Sequence, residues 1–128
     1  MTATEVNPAA TEQLIGTYFD MWRAADEAER AELVARVFTD DGRHVDPHAD
    51  AVGHDALAAM LAGVHGAYPG FAIERTSGID QHGAQLRFSW RMSAADDSLV
   101  IEGLDVVELA PDGRLARVVG FWGDLPAR

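Results

Sequence analysis

The chain has 128 residues, 48% of them hydrophobic, with ten arginines, no lysine, no cysteine and 21 acids, for a net charge of −11. That length suits one domain able to bury about two-thirds of its unfolded surface, and the acidity argues against nucleic acid or an anionic membrane as partner. Without cysteine there is no disulfide, thiolate nucleophile or cysteine metal site, and without lysine no Schiff-base cofactor chemistry.

Residues 1–8 read as a loose tail leading into a helix near Pro8, and residues 9–128 as a single domain. From about Ala9 to Ala25 the apolar positions Leu14, Ile15, Tyr18, Phe19 and Trp22 recur at helical spacing. A second helix is predicted over Glu27 to Phe38, with Ala31, Val34, Ala35 and Phe38 on one side, and Thr39-Asp40-Asp41-Gly42 should then turn the chain. Arg43 to Asp46 reads as a short strand stopped by Pro47. A third helix is expected from Gly53 to Gly66, with Leu57, Met60, Leu61 and Val64 as its apolar stripe. The remainder reads as a meander: Phe71 to Ile79, a turn at Asp80 to Gly83, Ala84 to Met92, a polar loop, Leu99 to Leu109, the turn Pro111-Asp112-Gly113, and Arg114 to Trp122.

That order predicts an α+β cone. Three N-terminal helices pack on a curved, mostly antiparallel sheet and enclose a pocket. The N-terminus has neither the basic stretch nor the apolar core of a signal peptide, and no apolar run nears the ~20 residues of a membrane span. A cytoplasmic protein is expected, without a membrane partner.

Asp105 is the most informative position. In the run Leu99 to Leu109 it alternates onto one face with Ile101, Val107 and Leu109, while Glu102 and Glu108 share the other. A carboxyl group on an apolar face is costly to ionise and becomes a candidate proton donor; the competing reading is a buried acid paired with Arg87, Arg91 or Arg117. Asp46, before Pro47, is a candidate base, although Asp-Pro is also an ordinary turn pair. Tyr18 would bring a phenol to the same interior, or serve as a core tyrosine. His44, Asp46 and His48 stand at i, i+2 and i+4 and could hold a metal ion if the strand ran on through Pro47. The stripe Leu86, Phe88, Trp90, Met92 reads as core wall able to line an apolar pocket, and Trp122 could roof it. No phosphate loop, nucleophile elbow or dinucleotide fingerprint is present, and no cofactor or metal is expected.

Several runs resemble the nuclear transport factor 2-like superfamily, which includes the SnoaL-like polyketide cyclases and the ketosteroid isomerases. They are Tyr18-Phe19-x-x-Trp22, Phe38-Thr39-Asp40-Asp41, Val45-Asp46-Pro47, Gly53-His54-Asp55-Ala56-Leu57 and Asp112-Gly113-Arg114-Leu115, and the likeness covers roughly residues 10–124. The ketosteroid isomerase branch carries a tyrosine on helix one, an Asp before a Pro and an Asp on a late strand. Tyr18, Asp46 and Asp105 fall at the matching places. The resemblance therefore implies a proton-transfer enzyme for a small hydrophobic carbonyl compound, by isomerisation or cyclisation. Asp46 would be the base, with Tyr18 and a protonated Asp105 as donors to the enolate oxygen. Phe38 and Leu61 stand where the steroid enzymes carry further tyrosines. Trp22, Phe38, Leu61, Phe88, Trp90, Val118, Gly120 and Trp122 are the expected walls. Two rivals follow: a non-catalytic module binding a hydrophobic ligand, and an epoxide hydrolase-like Asp-Arg-Asp site using Arg87 or Arg91. The family usually dimerises through the outer sheet face, where Val100, Leu104 and Val106 would suit a homodimer.

Overall fold

The computed structural model describes residues 7–128; of the expected tail 1–8, residues 1–6 lie outside the described residues. Helix α1 (Pro8–Arg23) opens with Pro8 in its first turn and with the Asn7 side chain accepting the Ala10 amide proton at 3.2 Å, so its N-terminal donors are met at once. Helix α2 (Glu27–Val37) is capped by Asp26, has Glu27 and Glu29 in its first turn, and carries Arg36 in its last, charges that complement its dipole. Buried Arg30 braces the turn between the two helices by donating to Ala24 O at 3.2 Å and Ala25 O at 2.6 Å.

The next stretch departs from the sequence expectation. Thr39 to Gly42 do not end the element with a turn; they belong to strand β1 (Phe38–Asp46), which follows α2 directly. Phe38 lies opposite Leu115 and Arg43 opposite Arg117 on strand β7 (Leu115–Trp122). β1 therefore bulges between these positions, and sheet pairing overrides the local turn signal. Pro47 and His48 make a two-residue hairpin into strand β2 (Ala49–Val52), with Asp46 paired to Ala49. Helix α3 (His54–Ala67) crosses next. His54 and His65 both tie α3 inward. The His54 ring lies 3.0 Å from Phe38 O and Thr39 O, and His65 Nε2 lies 2.8 Å from Trp22 O.

The predicted strand over Phe71 to Ile79 ends early, as β3 (Ala72–Arg75), and beyond a gap strand β4 (Asp80–His82) takes up residues expected to turn. Both pair with strand β5 (Gln85–Ser93), and the Ser77 hydroxyl fills the gap by accepting from the Ser89 amide at 2.8 Å. Strand β6 (Val100–Leu109) pairs antiparallel with β5 and β7. The sheet order is β2-β1-β7-β6-β5-β3, and among the described residues only the β1–β7 contact is parallel. The result is an α+β fold, three helices on a curved mixed sheet. No helix among the described residues is long and apolar enough to cross a membrane.

One glycine fixes how β5 packs on β6. Gly103 pairs with Trp90, and the Trp90 ring lies over it so closely that a Cβ would collide with the indole and come within 2.7 Å of Phe121 O. Gly103→Ala is expected to destabilise the domain by about 1–3 kcal/mol through overpacking. Urea unfolding of the variant beside Gly16→Ala, where an added Cβ meets nothing within 4 Å, measures that cost.

Candidate active site

Side-chain alternation along β6 turns Asp105 inward, as the sequence predicted, with Val107 and Leu109 buried beside it. Asp105 is 4% exposed. The flanking strands decide what meets it. On β5 its partner is Phe88, and Trp90 lies two residues on, swung across Gly103 so that its Nε1–H donates to Asp105 Oδ1 at 3.0 Å. From α1 the Tyr18 hydroxyl donates to Asp105 Oδ2 at 2.8 Å. On β7 the partner is Gly120, and its missing side chain is what leaves the acid a neighbour. A Cβ at Gly120 would stand 3.1 Å from Asp105 Oδ1 and 3.3 Å from Asp46 Cβ. The two carboxyl groups therefore flank Gly120 from either side.

Their environments push them in opposite directions. Burial raises Asp105 to about 6, against the downward pull of the Tyr18 bond, the nearby His44 and the Trp90 bond. Burial also acts on Asp46, but there it is outweighed by the His44 hydrogen bond and by the His48 and Ala49 amides, which hold the carboxyl below its ordinary value. His44 Nε2 lies 2.8 Å from Asp46 Oδ2, and the His48 amide donates to Oδ1 at 2.8 Å. Tyr18 is raised well above its ordinary value, first by burial and then by the Asp105 charge. The Trp22 indole, near the phenol without closing a hydrogen bond to it, pulls the other way.

These groups sit in the wall of a cavity of about 930 Å³. Tyr18, Asp46 and Asp105 all line it, and so do Trp22, Trp90, Gly120 and Trp122. The rest of the wall is largely apolar, with Met60, Val64, Ile73, Met92 and Ile101 among it. Phe38, Leu61, Phe88 and Val118, expected in the wall, lie behind it as fully buried core. Phe38 and Phe88 pack edge-on around Tyr18, with centroids 6.5 Å and 6.1 Å away. Alternation tells the face of a strand, but it does not tell which end of that face the helices cover.

His44 is the residue whose role the sequence reading missed. The sequence shows its i, i+2 spacing to Asp46, which together with His48 suggests a metal site only where the strand runs on through Pro47. Pro47 and His48 instead form the hairpin turn, and the His48 ring stacks on Trp122 at 4.9 Å. Among the described residues no group of three His, Asp or Glu side chains is arranged to hold a metal ion. The arginines are also outside. Arg87 pairs with Asp80 at 2.8 Å on an exposed part of the sheet, and neither Arg87 nor Arg91 lines the cavity.

Three helices on a curved sheet, with two acids in the wall of a largely apolar cavity, define a nuclear transport factor 2-like domain. The family model for the SnoaL-like domain matches residues 15–118, and the chain belongs to that family. A SnoaL-like family protein from Agrobacterium tumefaciens, named as a candidate isomerase, is 33% identical over 91% of this chain and 99% of its own, with a TM-score of 0.84. A candidate ketosteroid isomerase from Kribbella flavida shares the fold at 20% identity and TM-score 0.69, over 94% of this chain and 83% of its own. So does a candidate polyketide cyclase from Sinorhizobium meliloti at 18% and 0.70, over 87% and 97%. No curated protein matches the chain.

Proposed function

We propose that this protein transfers a proton between carbon atoms of a small hydrophobic carbonyl compound, in an isomerisation or cyclisation. One observation carries the reading: two carboxyl groups shifted in opposite directions flank Gly120 in an otherwise apolar cavity. Such a split assigns acid and base roles within one site. Asp46, always ionised near neutrality, takes the proton from the carbon next to the carbonyl, and the bond electrons move onto the carbonyl oxygen. Tyr18, Asp105 and Trp90 form one hydrogen-bonded unit. When that unit holds its extra proton it donates to the enolate oxygen. An apolar ligand that seals the cavity removes Asp105 further from water and favours that protonated form. The proton on Asp46 then returns to a different carbon of the enolate.

The experiment uses a bicyclic β,γ-unsaturated ketone in deuterated water. Conjugation of the double bond faster than in buffer alone is the expected result, with deuterium entering the product only to the extent that Asp46 exchanges its proton with solvent before returning it. Binding of the ketone without conjugation would favour a non-catalytic ligand-binding module. The aromatic surroundings of Tyr18, which contain no supporting hydroxyl, favour that second reading. The hydrolytic reading lacks its cation, since no arginine lines the cavity among the described residues.

The same reading includes a homodimer through the outer sheet face. Val100 and Phe121 are exposed there at 45% and 56%, and Leu104 pairs with Phe121 across β6 and β7, giving an apolar patch of the kind that self-associates. Light scattering at micromolar concentration is expected to give twice the chain mass, and Phe121→Arg to reduce it to one.

A further inference from the structure

The proton-transfer scheme gives His44 no part, yet its ring is bonded to the proposed base. His44 and Asp46 stand two residues apart on β1, so alternation turns both side chains toward the cavity that they line. His44 is 3% exposed and pairs with Ala51 on β2 and Val118 on β7, both buried. Such a site suits an apolar side chain. The imidazole instead makes one hydrogen bond among the described residues, from Nε2 to Asp46 Oδ2 at 2.8 Å, and leaves Nδ1 buried without a partner. A buried unpaired nitrogen is costly, so a ring placed there for stability alone would be a poor choice.

The bond completes a two-point hold on the carboxylate. The His48 amide donates to Oδ1 at 2.8 Å, and the His44 ring meets Oδ2. An ionised carboxylate only accepts, and Asp46 is held below its ordinary value, so the hydrogen in this bond belongs to Nε2 whether the ring is neutral or charged. With either hold removed, the carboxylate is free to turn about its broad last torsion. The ring is itself braced. The Trp22 indole packs edge to face on it with centroids 5.7 Å apart. Trp22 lies four residues beyond Tyr18 on the buried face of α1, with ring centroids 6.4 Å apart. One helix therefore reaches both ends of the site: Tyr18 donates to Asp105 at 2.8 Å, and Trp22 seats the ring that holds Asp46.

We infer that His44 is a positioning residue, braced by Trp22, that sets where the Asp46 carboxylate lies relative to Tyr18 and Asp105. This rests on the reading of Asp46 as the base.

The experiment compares His44→Gln with His44→Met in the full chain. The two replacements have the same length and nearly the same shape. Glutamine carries an N–H donor as many bonds from the backbone as imidazole Nε2, and methionine carries none. His44→Met is expected to lower kcat for isomerisation of the bicyclic β,γ-unsaturated ketone by about 10- to 100-fold, the cost of a misplaced reacting group, with KM little changed. His44→Gln should recover most of that loss. A residue that merely fills the core predicts the reverse order, since methionine is apolar there and glutamine is not. A second readout needs no substrate: the ¹³C titration of the Asp46 carboxyl group. The other titratable groups around it, Tyr18 on α1, Asp105 on β6 and His48 in the hairpin, are the same in both variants. Asp46 should titrate at higher pH in His44→Met than in the parent, and return toward the parent in His44→Gln. Equal kcat in the two variants, or an Asp46 titration that ignores His44→Met, overturns the positioning role. Should His44→Met not fold, the ¹⁵N signals of the unmodified ring decide: a hydrogen on Nε2 is expected, and a bare Nε2 overturns the assignment. A parent that turns over no ketone counts against Asp46 as the base, and the titration then still decides whether His44 holds it.

Discussion

Asp46→Asn is expected to lower the rate of isomerisation of a β,γ-unsaturated ketone by about 10²–10⁴-fold, the usual worth of a positioned general base. Ligand affinity and fold should change little. Asparagine has the shape of aspartate: its oxygen keeps the His48 amide, which now donates to Oδ1 at 2.8 Å, and its NH2 takes the place of Oδ2 and donates to His44 Nε2, 2.8 Å away, in the ring's other tautomer. What it loses is the carboxylate that takes the proton in this scheme. The pH profile gives a second check. Asp46 is held below its ordinary value of 3.8, so it imposes no loss of activity on the acid side above about pH 4. The donor unit is protonated below about 6, so kcat/KM should fall as pH rises through that value. An Asp46→Asn variant as active as the parent would remove Asp46 from the base role.

The sequence made the face of Asp105 legible because β6 is a long, regular strand with unbroken alternation, and because its carboxyl group breaks an apolar stripe. What it did not carry was contact made across the chain. Thr39-Asp40-Asp41-Gly42 is a strong local turn signal, yet pairing with β7 stretches it into β1. Ala49 to Val52 has little strand propensity and pairs only because a two-residue hairpin delivers it to β1 as an edge. Asp46 is visible beside Pro47, but the amides that lower it come from the hairpin itself, where the sequence predicts only a strand end. Gly103 and Gly120 mattered most for the site and were the least informative letters in isolation. Their importance lies in which residue stands opposite, Trp90 for one and Asp105 for the other, and that register belongs to the assembled sheet.

The cost of holding Asp105 away from water should be measurable as a pH-dependent stability that Asp105→Asn removes. Below its ordinary value of 3.8 the carboxyl is protonated in both the folded and unfolded chain. Between that value and about 6 only the folded protein keeps the proton, and above about 6 neither does. The group therefore contributes fully at low pH, and its contribution is lost as pH rises through the folded value. A separation of about two pH units corresponds to about 3 kcal/mol. Asp46 has the opposite sign: its contribution is present above 3.8 and lost as pH falls through its lower folded value, so it acts in a separate and more acidic window. Urea unfolding from about pH 4 to about pH 8 should show the difference between parent and Asp105→Asn changing by about 3 kcal/mol in favour of the variant, most of it before pH 7. An unchanging difference would mean that Asp105 titrates like an exposed carboxyl. Tyr18 and Trp90 would then be donating to an ordinary carboxylate, and the site would have no proton to lend near neutrality. If the change appears, the same burial that weakens the fold at neutral pH is what brings this carboxyl into the range where it can give and take a proton.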